Sequence, residues 1–307
     1  MIHEIREIPD RAEKVYYATQ QIALPRDVPY LGMGSSHYAT LALYYQGVRI
    51  TPYAASDYYH YLKPAVRADL GVLISQSGRS SEVLWCRELF NRFYAITNEI
   101  KSSLCVSTSL ERVFPLMAGK EEHSSSKTYV NTLITLFNGH KIDPYAAVRL
   151  LREKSMEYEA WGSEAAAKIH AMIGADKYKG CYIIGSGPNI ATAYQAALVL
   201  SETSKYPFIG MSTAQYDHGP KETAQDCAVI VIRSNGPDSA RTRRLFELVD
   251  NAGAMVHYFE ERDLDESLSP IVSIMPFNFM AYYLAKLLNI SRTFTVGAKV
   301  TEIDPDA

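Results

Sequence analysis

The chain has 307 residues, enough for two domains of about 150 residues each. Its net charge of −3 argues against a broad basic face for nucleic acid, and no apolar run approaches the roughly 18 residues of a membrane span. The N-terminus is charged and lacks the apolar core of a signal peptide, and the four cysteines have no metal-binding spacing. We therefore expect a soluble, cytoplasmic protein with reduced thiols that binds neither nucleic acid nor membrane.

The first half of the chain is predicted to alternate helices and strands, which is typical of a parallel α/β sheet. Its predicted elements are a helix at 1–24, a strand from Tyr30, a helix at Tyr38–Gln46, strands at Ile50–Tyr53 and Leu70–Ile74, a helix at Glu82–Asn91, a strand at Phe93–Thr97 and a helix at Thr128–Phe137.

The second half repeats this pattern at an offset of about 155 residues, the size of a domain. After a helical stretch at 146–175, its predicted elements are a strand at Cys181–Ile184, a glycine turn and helix, strands at Val229–Ile232 and Met255–Phe259, and a strand followed by a helix within Ser269–Leu288. The sequence therefore predicts a duplicated α/β unit with two doubly wound, mostly parallel sheets. We place the two domains at 1–150 and 151–307.

Three hydroxyl-rich turns precede three helices of the first half. They are Gly34-Ser35-Ser36, Ser75-Gln76-Ser77-Gly78-Arg79-Ser80 and Ser124-Ser125-Ser126-Lys127. One such turn alone is more often a simple helix cap. Three in one domain indicate a single site, because the free N–H groups of helix N-termini and serine hydroxyls suit a phosphate monoester.

Two residues of the second half are candidate proton carriers. Glu202 lies one turn after Leu198 on an apolar helix ridge, where apolar neighbours would favour its neutral form and let it carry protons. His218 lies in Asp217-His218-Gly219-Pro220, a sharp turn that is a usual place for an acid or base. An isolated glutamate at a helix end is more often solvated, so its significance depends on the accompanying motifs.

These motifs together resemble the sugar isomerase (SIS) family. The resemblance rests on Ser-Gln-Ser-Gly at 75–78, Ala-Gly-Lys-Glu at 118–121, Glu202 with His-Gly-Pro at 218–220, and Ala298-Lys299, and it spans about residues 28–304. The family contains the isomerase half of glucosamine-6-phosphate synthase, hexosamine-phosphate deaminases, aldose/ketose isomerases and fructosamine-phosphate deglycases.

The resemblance implies two tandem flavodoxin-like SIS domains. It implies that Gly34, Ser35, Ser36, Ser75, Gln76, Ser77, Ser80 and one or both of Ser125 and Ser126 bind the sugar phosphate. It implies catalysis by Glu202 and His218, with Lys299 closing over the open-chain sugar. It also implies a homodimer in which His218 enters the site of the neighbouring subunit. No cofactor and no metal are expected.

The chain departs from the synthase pattern in several places. Arg79-Ser80 replaces Glu-Thr, Val199 replaces a lysine three positions before the catalytic glutamate, and the segment from Glu121 to Lys127 is one residue shorter. The shortening leaves open whether Ser125 or Ser126 contacts the phosphate. The chain also begins with a charged helix where a glutaminase domain would begin with a cysteine, so we expect no ammonia from glutamine.

The favoured interpretation is a glucosamine-6-phosphate deaminase or a close aldose/ketose variant. The alternatives are an isomerase module of the synthase type that receives ammonia from elsewhere, a fructosamine-phosphate deglycase, and a sugar-phosphate sensor without catalysis. A sensor would not need Glu202, His218 and Lys299 together. Neither a Walker nor a Rossmann glycine pattern is present, which argues against ATP and NAD.

Overall fold

A computed structural model describes residues 1–302; residues 303–307, part of the predicted second domain, lie outside the described residues. The helices are α1 (Ile2–Arg6), α2 (Ile8–Thr19), α3 (Ser35–Tyr44), α4 (Ala55–Asp57), α5 (Ser81–Trp85), α6 (Lys127–Gly139), α7 (Tyr145–Glu153), α8 (Ser155–Gly174), α9 (Asn189–Ser204), α10 (Thr213–Asp217), α11 (Ser239–Asn251) and α12 (Ser269–Leu287). The strands are β1 (Pro29–Gly32), β2 (Thr51–Ala54), β3 (Ala68–Ile74), β4 (Phe90–Thr97), β5 (Leu110–Pro115), β6 (Cys181–Gly185), β7 (Phe208–Ser212), β8 (Ala228–Arg233) and β9 (Met255–Glu260).

The residue contacts divide the chain into two units. The first unit comprises Asp10–Pro144 and the tail from Thr295, and the second comprises Met1–Pro9 and Tyr145–Phe294. The predicted domain ranges differ from these units at the N-terminus, at the tail and at residue 150, which lies inside α7. The N-terminal difference arises because α1 packs against α12.

The first unit is built on a five-stranded sheet in the order β2-β1-β3-β4-β5, with every neighbouring pair parallel. This is the flavodoxin-like order, in which the direction of winding reverses between β1 and β3. One face of the sheet packs Leu31, Leu73 and Phe93 against Tyr58 and Phe90. Beside this core, every residue of α6 is buried.

The second unit is built on a four-stranded parallel sheet in the order β7-β6-β8-β9. On one face, Tyr216 of α10 and Phe246 of α11 pack against Ile184 of β6. On the other face, Trp161 of α8 and Phe277 of α12 pack around Phe259 of β9. Because α9 packs against α12, it lies on this second face as well.

The predicted α/β class with two parallel sheets is confirmed. One predicted element is wrong, because Ser269–Leu288 was expected to hold a strand and then a helix, whereas Ser269–Leu287 is one helix. A continuous apolar run does not distinguish a buried strand from a buried helix. Gly162 of α8 favours the helix by letting it come close: a Cβ atom at Gly162 would lie 2.6 Å from the carbonyl oxygen of Pro276.

The helix predicted at Glu82–Asn91 is also shorter than expected. Helix α5 ends at Trp85, a 3-10 turn covers Cys86–Leu89, and β4 begins at Phe90. The buried Phe90 ring decides this boundary, because it packs on Gly71 of the neighbouring strand. A Cβ atom on Gly71 would lie 2.5 Å from the Phe90 ring. Within residues 1–302, no helix combines the length and apolarity needed to cross a bilayer.

Candidate active site

Two of the hydroxyl-rich turns flank the point where the winding of the first sheet reverses. Ser35 and Ser36 begin α3 directly after β1, and Ser75–Ser80 follows β3, the strand hydrogen-bonded to β1. Ligands of open α/β sheets bind at this place, outside the carboxyl ends of the strands. The structure therefore brings two of the three predicted phosphate turns to adjoining strand ends.

The turn from Ser75 to Ser80 is fixed by its own hydrogen bonds. The Ser75 Oγ atom accepts the Gly78 N–H at 3.1 Å and lies 3.2 Å from the Ser80 Oγ atom. The Ser77 Oγ atom accepts the Arg79 N–H at 3.2 Å. Because Ser77 uses only its oxygen in that bond, its hydroxyl hydrogen can still be donated to a phosphate oxygen.

Glycine is required at position 78 for two reasons. Its φ of +61° lies in the left-handed region, and a Cβ atom there would lie 1.8 Å from the Ser102 Oγ atom. The turn therefore lies directly against the loop that follows β4, which holds Ser75 and Ser77 in one arrangement.

Glu121 organises the third hydroxyl-rich turn, and sequence reasoning missed its role. Its side chain is 0% exposed. Its carboxylate accepts hydrogen bonds from the N–H groups of Ser126 (3.0 Å) and Thr128 (3.2 Å) and from their hydroxyls (3.0 and 2.5 Å). A carboxylate at this position satisfies the free N–H groups of the first turn of α6 and complements the helix dipole.

The hydrogen bonds of this turn distinguish Ser125 from Ser126, the two serines that the sequence leaves as candidates for the phosphate contact. The Ser126 hydroxyl donates to Glu121, whereas the Ser125 Oγ atom lies 2.8 Å from the Thr128 Oγ1 atom. Ser125 is half-buried and Ser126 is buried. The Ala-Gly-Lys-Glu motif was the signal that could have identified Glu121 as a site residue.

The tail brings Lys299 to the same carboxylate. The Lys299 Nζ atom lies 2.8 Å from the Glu121 carbonyl oxygen and 3.3 Å from its carboxylate. Two residues further along, the Thr301 carbonyl accepts the N–H of Ser81, the first residue of α5, at 3.2 Å. The tail therefore contacts both the Ser126 turn, through Glu121, and the end of the Ser75–Ser80 turn.

His37 is a second residue that the sequence prediction did not assign. It lies in the first turn of α3, next to Ser36, and its Nδ1 atom is buried without a hydrogen-bond partner among the described residues. Burial lowers the pKa of its imidazole, against a smaller opposite effect of a backbone hydrogen bond with Tyr53. A neutral imidazole therefore lies beside the hydroxyl-rich turns.

Glu202 lies in the last turn of α9, in the second unit, and is half-buried. Its surroundings are fixed by neighbours at the end of that helix. Ser201 exchanges hydrogen bonds with the backbone of Phe208 at 3.2 and 3.4 Å. Lys205, in the left-handed conformation at φ +66°, donates to the carbonyls of Glu202 and Thr293.

His218 directly follows α10 and is exposed. Its neighbour Asp217 pairs with Lys221 at 2.9 Å and with Arg241 at 3.0 Å. Hydrogen bonds from Lys221 and Arg241 lower the pKa of Asp217, so this carboxylate stays ionised and ties the end of α10 to α11. The turn that carries His218 is therefore anchored, while the imidazole faces solvent.

Glu202 and His218 are carried on opposite faces of one sheet. Helix α9, with Glu202, shares its face with α12, whereas α10 packs Tyr216 into the core of the other face. The structure therefore brings Lys299 to a predicted phosphate turn but carries Glu202 and His218 on opposite sides of the second sheet.

Several proteins of similar sequence share the name glutamine–fructose-6-phosphate aminotransferase (isomerizing). No protein-family model matches the chain. The glutamine–fructose-6-phosphate aminotransferase (isomerizing) of Bartonella henselae is 23% identical over 312 aligned positions, covering 86% of this chain and 51% of the relative. Its namesake from Arabidopsis thaliana is 24% identical over 318 positions, covering 90% and 46%. The chain thus spans about half the length of these curated relatives.

Solved structures match over nearly their whole length. The C-terminal domain of glucosamine-fructose-6-phosphate aminotransferase from Francisella tularensis has a TM-score of 0.73 and 19% identity, covering 94% of this chain and 96% of that one. Glucosamine-6-phosphate deaminase from Thermotoga maritima has a TM-score of 0.72 and 20% identity, covering 92% and 94%. Tagatose-6-phosphate ketose/aldose isomerase from Escherichia coli has a TM-score of 0.72 and 16% identity, covering 96% and 95%. The chain has the fold of these phosphosugar enzymes, and its resemblance to the sugar isomerase (SIS) family is confirmed.

Proposed function

We propose that the chain is a phosphosugar enzyme of two tandem SIS domains that acts on an amino sugar phosphate. The favoured reaction is deamination of glucosamine 6-phosphate to fructose 6-phosphate and ammonia. The observation that carries this proposal is the contact of Lys299 with Glu121, the residue that holds the Ser126 turn. That contact places the amine of the tail beside a hydroxyl-rich turn suited to a phosphate.

The first unit would anchor the phosphate of the sugar. The hydroxyl of Ser77 and the N–H groups at the start of α3 are neutral donors, and they suit a dianionic phosphate. Fixing the phosphate end orients the open-chain sugar, and orientation of this kind can lower a barrier by several kcal/mol.

The reaction needs two proton carriers. His218 would take the proton of the C1 hydroxyl and supply one to the ring oxygen, which opens the ring to the aldehyde. Glu202 would then remove the C2 hydrogen and return a proton to C1, while the C1 oxygen gains a proton and the C2 nitrogen loses one, giving an alcohol at C1 and an imine at C2. Water adds to this imine and ammonia leaves, which yields the ketone of fructose 6-phosphate.

Lys299 would act on the carbonyl end of the sugar. As an ammonium it donates hydrogen bonds, and it can polarise the sugar carbonyl in the same way that it contacts the Glu121 carbonyl. A Schiff base with a ketose would require the neutral amine, and hence release from the Glu121 carboxylate.

We further propose a homodimer in which His218 serves the site of the second copy. The position of Glu202 and His218 on opposite faces of one sheet supports this arrangement, because each residue is presented on a different side of the unit. The sugar phosphate and the second copy of the chain are the expected partners.

A second candidate reaction is the interconversion of an aldose and a ketose phosphate. The Escherichia coli ketose/aldose isomerase matches the fold as well as the deaminase does. The same proton transfer by Glu202 would serve this reaction, but no ammonia would leave. An isomerase module supplied with ammonia from a separate chain would run the deamination in reverse.

Ammonia release from glucosamine 6-phosphate tests the proposal. We expect the wild type to release one ammonia for each fructose 6-phosphate formed, and Glu202→Gln and His218→Ala to lose most of this activity. Glu222→Gln, an exposed carboxylate in the same segment as His218, is the matched control and should keep it. Ketose formation from an aldose phosphate without ammonia release would favour the second candidate, and no turnover of either substrate would contradict both.

A further inference from the structure

A second pocket lies at the carboxyl ends of β6 and β8 in the second unit. These strands are neighbours, and the winding of the second sheet reverses between them, so the pocket occupies the usual ligand position of an open α/β sheet. Its walls include Ser186, Ser234, Asp238, Arg243, Glu260 and Glu266, and it is partly open to solvent. The pocket is formed within the second unit.

The Glu266 carboxylate fills the end of this pocket where an anion would be bound. It accepts the Ser234 hydroxyl at 2.5 Å. A Cβ atom on Gly236 would lie 2.0 Å from the carboxylate, and one on Gly187 would lie 3.5 Å from it. The turns after β6 and β8 thus both approach Glu266, and a side chain at position 236 would require the Glu266 carboxylate to move.

The remaining groups make the pocket a poor site for a phosphate. Asp238 contributes a second carboxylate, which accepts the Ser186 hydroxyl at 2.7 Å. Glu260 contributes a third, partly balanced by Arg262 at 2.9 Å. The Arg233 guanidinium lies 3.6 Å from the centre of the Tyr258 ring. The lining thus holds three carboxylates and two guanidinium groups, those of Arg233 and Arg243. Carboxylates accept hydrogen bonds and repel anions, so the excess of carboxylates suits a ligand that brings donors.

We propose that this pocket is a second small-molecule site, in which Glu266 occupies the position of an anion and the ligand supplies hydroxyl or ammonium groups. The chain would then hold a phosphate-bearing ligand only in the first unit. Glu266 selects against phosphate esters in the second unit and binds the donors of an unphosphorylated sugar or amino sugar.

Trp161 can report on this pocket through its contact with Tyr258. Its Nε1–H donates to the Tyr258 carbonyl at 2.8 Å. The Arg233 guanidinium, which lines the pocket, stacks over the Tyr258 ring. The chain has two tryptophans, so a Trp85→Phe variant leaves Trp161 as the one reporter. We would titrate this variant with D-glucosamine, D-glucose and inorganic phosphate while recording fluorescence, and confirm binding by calorimetry.

We expect saturable binding of D-glucosamine, D-glucose or both, and no response to phosphate at the same concentrations. Binding of glucosamine alone would assign the contact to the ammonium group, and binding of both sugars would assign it to hydroxyls. Glu266→Gln should weaken binding at least about tenfold, whereas Glu247→Gln, an exposed carboxylate on α11, should change it less than about twofold.

Three results would overturn the proposal. They are saturable phosphate binding by the Trp85→Phe variant with a Trp161 response, the absence of binding by either sugar, and an unchanged affinity in Glu266→Gln. Ser234→Ala, which keeps the Glu266 charge and removes its hydroxyl partner, provides a second variant in case Glu266→Gln unfolds.

Discussion

Lys299 and Glu121 form an ion pair in which the Nζ atom lies 3.3 Å from a carboxylate whose side chain is 0% exposed. The same carboxylate accepts hydrogen bonds from the backbone and hydroxyls of Ser126 and Thr128. One buried group therefore holds both the tail and the start of α6.

Replacement of Glu121 tests this shared role. In Glu121→Gln, the amide has one acceptor oxygen, and its NH₂ group faces Ser126 and Thr128, which are themselves donors. We therefore expect the free energy of unfolding to fall by about 1–3 kcal/mol. Urea denaturation measures the change. Glu122→Gln is the matched control, because that neighbour is exposed and pairs only with Lys120 among the ion pairs described, and an equal loss in both variants would contradict the assignment.

Gly78 tests the rigidity of the phosphate turn. Alanine there combines a left-handed backbone with a Cβ atom 1.8 Å from Ser102 Oγ, so Gly78→Ala should cost about 3 kcal/mol or more of stability. Gly47→Ala is the control, with φ +79° but no atom within 4 Å of its Cβ position, and it should cost about 1 kcal/mol.

A double variant separates the two causes at this turn. Gly78→Ala with Ser102→Gly removes the clashing side chain and keeps the backbone strain. Thermal denaturation should recover more than half of the stability lost in Gly78→Ala. No recovery would assign the whole loss to the backbone conformation.

His140 makes the stability of the first unit depend on pH. Its Nε2 atom lies 3.0 Å from the Tyr30 hydroxyl, and burial, with a smaller effect of Arg26, lowers the pKa of the imidazole from 6.5 to about 4. The unfolded chain therefore takes up this proton first as the pH falls. The stabilising contribution is complete above pH 6.5 and is lost between pH 6.5 and pH 4, at up to about 1.4 kcal/mol per pH unit.

The His140→Gln variant isolates this contribution, because glutamine does not titrate. Urea denaturation at several pH values should show the wild type losing stability faster than His140→Gln between pH 6.5 and pH 4. Parallel curves in this window would show that His140 does not supply the pH dependence.

The general fold could be predicted because local signals suffice for it. Apolar β-rich runs that end in glycine or serine turns and are followed by helices identify parallel strands, and the turn at Ser75–Ser80 shows this. The end of the chain was harder to predict. Ser269–Leu287 is apolar on all sides, and its helical state depends on close packing against Gly162, more than 100 positions earlier.

The candidate site also has features that the sequence predicts and features that it does not. Two of the serine turns could be recognised because they follow β1 and β3 directly, so their place in the sequence predicts their place at the sheet edge. The role of Glu121 depends on hydrogen bonds with Ser126 and with Lys299, which is distant in sequence. A sequence motif does not reveal which residues bond to one another. The separation of Glu202 and His218 depends on which sheet face each helix covers, and the spacing of two residues carries no such information.

Mixing of two inactive variants tests whether the proposed site is shared. Glu202→Gln and His218→Ala should each be inactive, but a mixed dimer would contain one site with both residues intact. Random assortment of equal amounts makes half of the dimers mixed, so about a quarter of the wild-type activity should return. If differently tagged chains form mixed dimers and no activity returns, each site draws Glu202 and His218 from one chain.

We propose that Glu202 carries a proton between C1 and C2 of a sugar phosphate. The most direct measurement is solvent exchange: incubation of fructose 6-phosphate with the protein in D₂O, followed by NMR of the C1 hydrogens. We expect the wild type to replace one of the two C1 hydrogens with deuterium and Glu202→Gln to slow this exchange by at least about a hundredfold. Wild-type protein that binds fructose 6-phosphate without exchange, or a Glu202→Gln variant that exchanges at the wild-type rate, would contradict it.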